Sequence, residues 1–218
     1  MHIPDGFLDP WVAGLFWLGS GAAIGLAVRR ARGELGDERT PLLGVVAAGI
    51  FAAQMLNWPI PGGTSAHFVG GAFAGILLGP SLGVLAMTAV VTIQALVFGD
   101  GGIVALGANL FALAVVDVLA GYVLFRVVRR VYEPAAAFVA GWGAVVLSAL
   151  AVGVGVGLSS AFAYELGVTV PIMVVGHALL GLIEGAITAA VYGYVADARP
   201  DLVLGRFRDE ALTPEVGL

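Results

Sequence analysis

Long apolar runs alternate with short polar interruptions along the whole chain. The runs lie at roughly 11–29, 41–57, 66–79, 81–98, 103–128, 134–164 and 170–197, and each reads as a membrane-spanning helix. The third is short for a hydrocarbon layer of about 30 Å and is punctuated by Gly79 and Pro80, so it reads as a partial or tilted helix. Merging it with the fourth run would leave six spans in place of seven.

Charge chooses between the two counts. All ten basic residues are arginines, and they fall into three clusters: Arg29, Arg30, Arg32 and Arg39; Arg126, Arg129 and Arg130; Arg199, Arg206 and Arg208. With seven spans every cluster lies on one side of the membrane, and cytoplasmic loops are the arginine-rich ones. The expectation is an all-α integral membrane protein of about seven transmembrane helices, with its N-terminus outside and its C-terminus cytoplasmic. External connections then fall at roughly 58–65, 99–102 and 165–169. With Asp5 and Asp9 at the external terminus and Asp100 and Glu165 in these connections, the outer face is mildly acidic.

Composition agrees with the pattern and removes several chemistries. The chain is 60% hydrophobic and 11% charged, with a mean hydropathy of +1.00, far from soluble domains. It reads as a single membrane domain over 1–218: an N-terminal segment 1–10, a helical bundle 11–197 and a cytoplasmic tail 198–218. Cysteine is absent, so any metal is held by nitrogen or oxygen. Lysine is absent as well, which excludes a Walker A loop, a Schiff base and a lysine base. ATP hydrolysis, if used, belongs to another chain. No signal-peptide pattern precedes the first span, and a methionine followed by a residue as large as histidine is normally retained, so Met1 is expected to carry a free α-amine.

That amine matters because His2 follows it. The amine and the His2 amide nitrogen close a five-membered ring on a divalent ion, and the amide and Nδ1 of His2 close a six-membered one. Three nitrogens in a plane, completed by a fourth, suit Ni(II) or Cu(II). Ile3, Pro4, Asp5 and Gly6 form an apolar pair followed by a turn signal, and Phe7, Leu8 and Trp11 lead into the first span, so the terminus is expected to pack against the body.

The fourth nitrogen has a candidate in NWPIPGGTSAHFVGG, between the second and third runs. Thr64 and Ser65 are candidate N-caps, His67 falls in the first turn of the following helix, and the positive helix end favours its neutral, metal-binding form. Topology places His67 on the face that carries the amine. Gln54, Asn57, Thr64, Ser65, Gln94 and Asn109 are polar groups in or beside apolar runs, able to orient the His67 ring. His177, Glu184 and Asp117 are intramembrane ionisable residues; they read as a buried polar cluster that fixes helix packing, and His177 is not counted as a ligand. Small residues at four-residue spacing, such as Gly71, Gly75 and Gly79, read as close-packing faces.

The opening MHIPDGFLDP, GGTSAHFVGG, LLGP at 77–80, GDGG and LGAN between 99 and 109, and HALLGLIEGAIT at 177–188 together resemble the NikM and CbiM family. These are substrate-binding S components of energy-coupling factor transporters, a class of ABC importer, for nickel and cobalt. The resemblance implies a multi-pass protein of the bacterial or archaeal cell membrane that is not itself an enzyme. It implies an ion held by Met1, His2 and His67, with Asn57, Thr64, Ser65 and Asn109 as possible supporting residues. The implied partners are membrane lipid, a transmembrane coupling subunit, cytoplasmic ATPase subunits and a small accessory membrane subunit; nucleic acid is not among them. Nickel is favoured over cobalt by the planar nitrogen set. Other readings are a Co(II)-specific S component of a cobalamin-related uptake system, a stand-alone metal transporter and an intramembrane metalloenzyme; the last lacks an HEXXH arrangement. Binding is expected to fail as pH drops below the ordinary amine value of about 7.7–8.

Overall fold

The computed structural model describes residues 1–56, 58–60 and 64–202. Helix α1 spans Pro10–Ala31, with Pro10 at the position where a missing N–H leaves no helical bond unmade. Helix α2 spans Arg39–Gln54. Strands β1 (Trp58–Ile60) and β2 (Thr64–Ala66) then form an antiparallel hairpin in which Trp58 pairs with Ala66 and Ile60 with Thr64. Helix α3 is short, Gly71–Leu78, and stops at Gly79 (φ +83°), whose backbone turns the chain into Pro80 at the head of α4. Helix α4 (Pro80–Ile93) continues in wider turns through Phe98. The helix α5 (Leu106–Asn109) runs on without a break through residue 116 into α6 (Asp117–Val128). Helices α7 (Glu133–Gly157) and α8 (Leu166–Ala198) complete the bundle and pack along each other.

Among the described residues five helical stretches, and not seven, are long and apolar enough to cross a membrane: Pro10–Ala31, Pro80–Phe98, Leu106–Val128, Ala135–Gly157 and Leu166–Ala198. The 41–57 and 66–79 spans of the seven-helix reading are the two that fail. Helix α2 has 16 residues and α3 has 8, which at about 1.5 Å per residue gives roughly 24 and 12 Å, short of the hydrocarbon thickness. The assignment of the termini to outside and cytoplasm rests on seven crossings and falls with them. The part of the expected tail beyond residue 202 lies outside the described residues.

The exterior is apolar and the interior holds the polar groups. Leu15, Leu18, Val45 and Leu179 are exposed, while Gln54, Gln94, Asn109, Asp117 and Glu184 are buried. This multi-pass arrangement suits lipid, where exposed apolar side chains cost nothing and buried polar groups must find partners.

The half-length helix α3 explains two of those buried groups. Seven of its eight residues are buried, and it is flanked by α4, α6, α7 and α8. A helix that begins inside the bundle leaves its first amides without partners. Glu184 of α8 accepts the amides of Val69 and Gly70, both at 2.9 Å, and Asp117 of α6 accepts that of Ala72 at 3.1 Å. Negative charge at a helix N-terminus is also favoured by the helix dipole. Close approach to α6 depends on Gly75, where a Cβ would stand 2.6 Å from the carbonyl oxygen of Val118.

The helix ends that carry Arg29, Arg30 and Arg126 lie at the end of the bundle opposite the N-terminal segment. That segment, residues 1–9, folds back over the connections that join α4 to α5 and α7 to α8.

Candidate metal centre

The first nine residues are tied down by their own polar atoms. Ile3 is clamped at both backbone groups by Asn109: its N–H donates to Oδ1 at 2.7 Å, and its carbonyl accepts from Nδ2 at 3.1 Å and from the Gly102 amide at 2.9 Å. The Asp5 carboxylate accepts the amides of Ile103, Val104 and Ala105 at 2.8–3.2 Å, capping from a distance the helix that begins at Leu106. Asp9 accepts the amides of Ser160 and Ala161 at 2.8 and 3.1 Å, and its own N–H donates to Ser159 Oγ. The bond from the Ser160 amide is the main reason its carboxyl sits below the ordinary range. Phe7 packs on Phe162 with ring centroids 4.9 Å apart.

So anchored, the terminus delivers its amine into the protein. The Met1 nitrogen lies 3.1 Å from Nε2 of His67. Metal–nitrogen bonds of about 2.0–2.1 Å put neighbouring corners of a square about 2.8–3.0 Å apart, so this separation matches two adjacent ligands. The His67 Nδ1 donates to the Phe68 carbonyl at 2.8 Å, which leaves the lone pair on Nε2, facing the amine. The His2 and His67 rings are nearly parallel, 13° apart, with centroids at 5.1 Å. The Nδ1 of His2, the nitrogen a chelate ring requires, sits 3.2 Å from Asp100 Oδ1, while its Nε2 is buried without a hydrogen-bond partner among the described residues.

Burial sets the protonation. It lowers the Met1 amine from 8.0 to about 6, against a smaller upward pull from Asp100. It pushes His67 down to about 3, helped by the neighbouring amine's charge. Asp100 lies below the ordinary carboxylate range, chiefly because His2 donates to it. At neutral pH both facing nitrogens therefore carry free lone pairs.

The structure gathers Met1, His2 and His67 and gives Asn109 a different part from the one expected. Asn109 holds Ile3 and not the His67 ring. Asn57 lies outside the described residues, as do Pro61, Gly62 and Gly63, and Thr64 and Ser65 pair with Ile60 and Pro59 in the hairpin. His67 is not in a first helical turn, since α3 begins at Gly71 after Gly70 in a left-handed conformation (φ +79°). Its neutral form comes from burial instead of from a helix end. Its segment is fixed by Glu184 on the Val69 and Gly70 amides and by Gln54, which donates to the Val69 carbonyl and accepts from Gln94 Nε2 at 2.6 Å.

Sequence reasoning treated Asp5, Asp9 and Asp100 as a diffuse acidic face and missed their separate contacts. The usable signal was the presence of glycine- and serine-rich turns elsewhere in the chain for Asp5 and Asp9 to meet, GDGG at 99–102, which itself carries Asp100, and Ser159–Ser160. Gly102 shows how tight one pairing is, because a Cβ there would overlap the Asp5 carboxylate and backbone nitrogen. Gly102→Ala is expected to displace the terminal segment at a cost of about 1–3 kcal/mol, seen in calorimetry as roughly tenfold weaker nickel binding with helical circular dichroism unchanged.

Comparison with known proteins places this geometry in context. The CbiM family, described as the cobalt uptake substrate-specific transmembrane region, matches residues 2–202. A protein of Haloquadratum walsbyi named "Putative metal transport protein" is 78% identical over the full length of both chains. The fused nickel transport protein NikMN of Rhodobacter capsulatus is 35% identical across 94% of this chain and 65% of its own. The cobalt transport protein CbiM of Sorangium cellulosum is 33% identical across 98% of this chain and 99% of its own. A crystal structure of a transition metal transporter superposes with a TM-score of 0.85 at 30% identity, covering 95% of this chain and 97% of that one.

Proposed function

We propose, from the premise that this chain belongs to the CbiM family, that it is the substrate-specific membrane subunit of a nickel or cobalt importer of the energy-coupling factor type, and that it takes the ion as four nitrogens in a plane. The relatives are transport proteins and the chain is not an enzyme. The ligands are the Met1 amine, the His2 amide, the His2 Nδ1 and the His67 Nε2. The observation that carries this reading is the 3.1 Å approach of the buried Met1 amine to the lone pair of His67. On binding, the His2 ring carries its proton on Nε2 in place of Nδ1, Nδ1 turns from Asp100 to the ion, and the amide loses its proton. The dipositive ion, one ionised amide and the Asp100 carboxylate then sum to zero charge, which a site walled by Val152, Val156 and Ile172 requires. Nickel is the favoured cargo, since planar nitrogen with an ionised amide suits Ni(II).

Relatives with the name of fused nickel transport proteins point to association with further transporter components. The finer assignment is to a transmembrane coupling subunit, ATPase subunits supplying the hydrolysis this lysine-free chain lacks, and a small accessory membrane subunit.

The test is calorimetric titration of nickel chloride into the purified protein across pH. Loss of the amide proton makes affinity rise with pH by about tenfold per unit, and below about pH 6, where the amine must deprotonate as well, the dependence steepens. The break is expected near 6, not near the ordinary 8, because the amine's folded value is depressed and its proton competes only at lower pH. A break near 8, or no pH dependence, contradicts an amine ligand held as described.

A further inference from the structure

His177 is the third imidazole of the chain and takes no part in the four-nitrogen set. It lies on α8, one turn beyond Met173, and its Nδ1 donates to the Met173 carbonyl at 2.8 Å. That bond commits Nδ1 as the donor and leaves the lone pair on Nε2. Among the described residues no group hydrogen-bonds Nε2.

The ring borders two spaces beside the metal centre. One is a cavity of about 510 Å³ that His177 lines together with Met1, His2, His67 and Asp100. The other is a pocket of about 30 Å³, the size of a single water, lined by His177 with Met1, His67 and Glu184. Glu184 is occupied there, both oxygens accepting backbone amides, so His177 is left as the uncommitted nitrogen in that pocket.

We propose that His177 gives the bound ion a fifth nitrogen from the α8 side, and that this ligand decides how well the site holds Co(II) relative to Ni(II). The inference rests on the planar four-nitrogen reading above. A plane of four nitrogens leaves both faces of the ion open. In planar Ni(II), with eight d electrons, the orbital along that axis is filled and an approaching lone pair gains little. Low-spin Co(II) has one electron fewer, the same orbital is half filled, and an axial nitrogen bonds. A fifth ligand therefore favours cobalt selectively, without disturbing the in-plane set that suits nickel.

The experiment compares the protein with its His177→Asn variant, both with native N-termini; the asparagine amide nitrogen matches the position of Nδ1 and keeps an N–H for the Met173 carbonyl, while nothing replaces Nε2. Cobalt and nickel chlorides are titrated anaerobically by calorimetry, and the cobalt-loaded proteins are examined by electron paramagnetic resonance. The expected result is cobalt affinity about tenfold or more weaker in the variant with nickel affinity within about threefold. One axial ¹⁴N should split each line of the parallel cobalt hyperfine pattern into a triplet in the unaltered protein, and the splitting should vanish in the variant. Absence of that splitting in the unaltered protein overturns the proposal whether or not the variant folds, as do equal changes for the two metals. If the unaltered protein binds neither metal tightly, the four-nitrogen reading itself fails and the fifth ligand fails with it.

Discussion

Two residues added ahead of Met1 are expected to weaken nickel binding by at least about a thousandfold, or about 4 kcal/mol, while the helical bundle melts unchanged. The extension turns the α-amine into an ordinary amide, which is neither a free lone pair nor the anchor of the five-membered chelate ring. It also has nowhere to go: the amine is buried and 3.1 Å from His67, so added chain must push the segment off the His67 ring. Titration of nickel chloride into the native and extended proteins, each checked by circular dichroism and thermal melting, decides the matter. Equal binding by both would remove the amine from the site and require a ligand set rebuilt around the imidazoles.

The second large effect is expected at a residue that touches no metal. Asn109→Ala removes both bonds that clamp Ile3 and leaves its buried N–H without a partner. Leaving a buried backbone group unpaired costs about 1–3 kcal/mol, and the lost side-chain bonds add to this. Roughly 3–4 kcal/mol in all corresponds to a loss of several hundredfold in nickel affinity, if the energy is spent on holding residues 1–3 in place. Because Asn109 acts through Ile3, the variant's weak binding should keep the planar-nickel absorption of the native protein, whereas removing a ligand should change it. A variant that binds as tightly as the native protein would show that Asp5, Asp9 and the Gly102 amide hold the segment without Asn109.

Both results turn on contacts of very unequal visibility in the sequence. The Met1–His2 pair was legible because two of its three ring-forming nitrogens are separated by one residue, and the chelate geometry follows from covalent structure. His67 was legible as a partner because imidazoles are few, with three in the chain. Asn109 stood out as a polar residue in an apolar run, but its role did not, since nothing local says that it reaches Ile3, 106 positions away. Glu184 and Asp117 stood out as ionisable residues in apolar runs; that they satisfy the start of α3 depends on where a broken helix ends up. The span count went wrong at the same place. Hydropathy alone cannot separate a helix that crosses lipid from an apolar helix of 8 residues enclosed by protein, because both are built from the same residues.

What the sequence determined by itself is therefore the class of protein, the helix break at Gly79–Pro80 and the nitrogen spacing of Met1 and His2 on which the proposed chelate rests, all of which follow from composition or from atoms a few bonds apart. Only the tertiary structure decided that Asp5, Asp9 and Asn109 hold the terminal segment down, that Asp100 faces His2, and that Glu184 and Gln54 fix the strand of chain bearing His67. It also decided that His177 borders the same cavity as Met1 and His67. Apart from Gln54, which reaches Val69 over 15 residues, these groups meet across 98 to 152 residues in the terminal segment and 114 to 115 at Glu184. At such separations a side chain's partner is chosen by how the helices pack, because each buried polar group must take whichever donor or acceptor the packed bundle brings within reach.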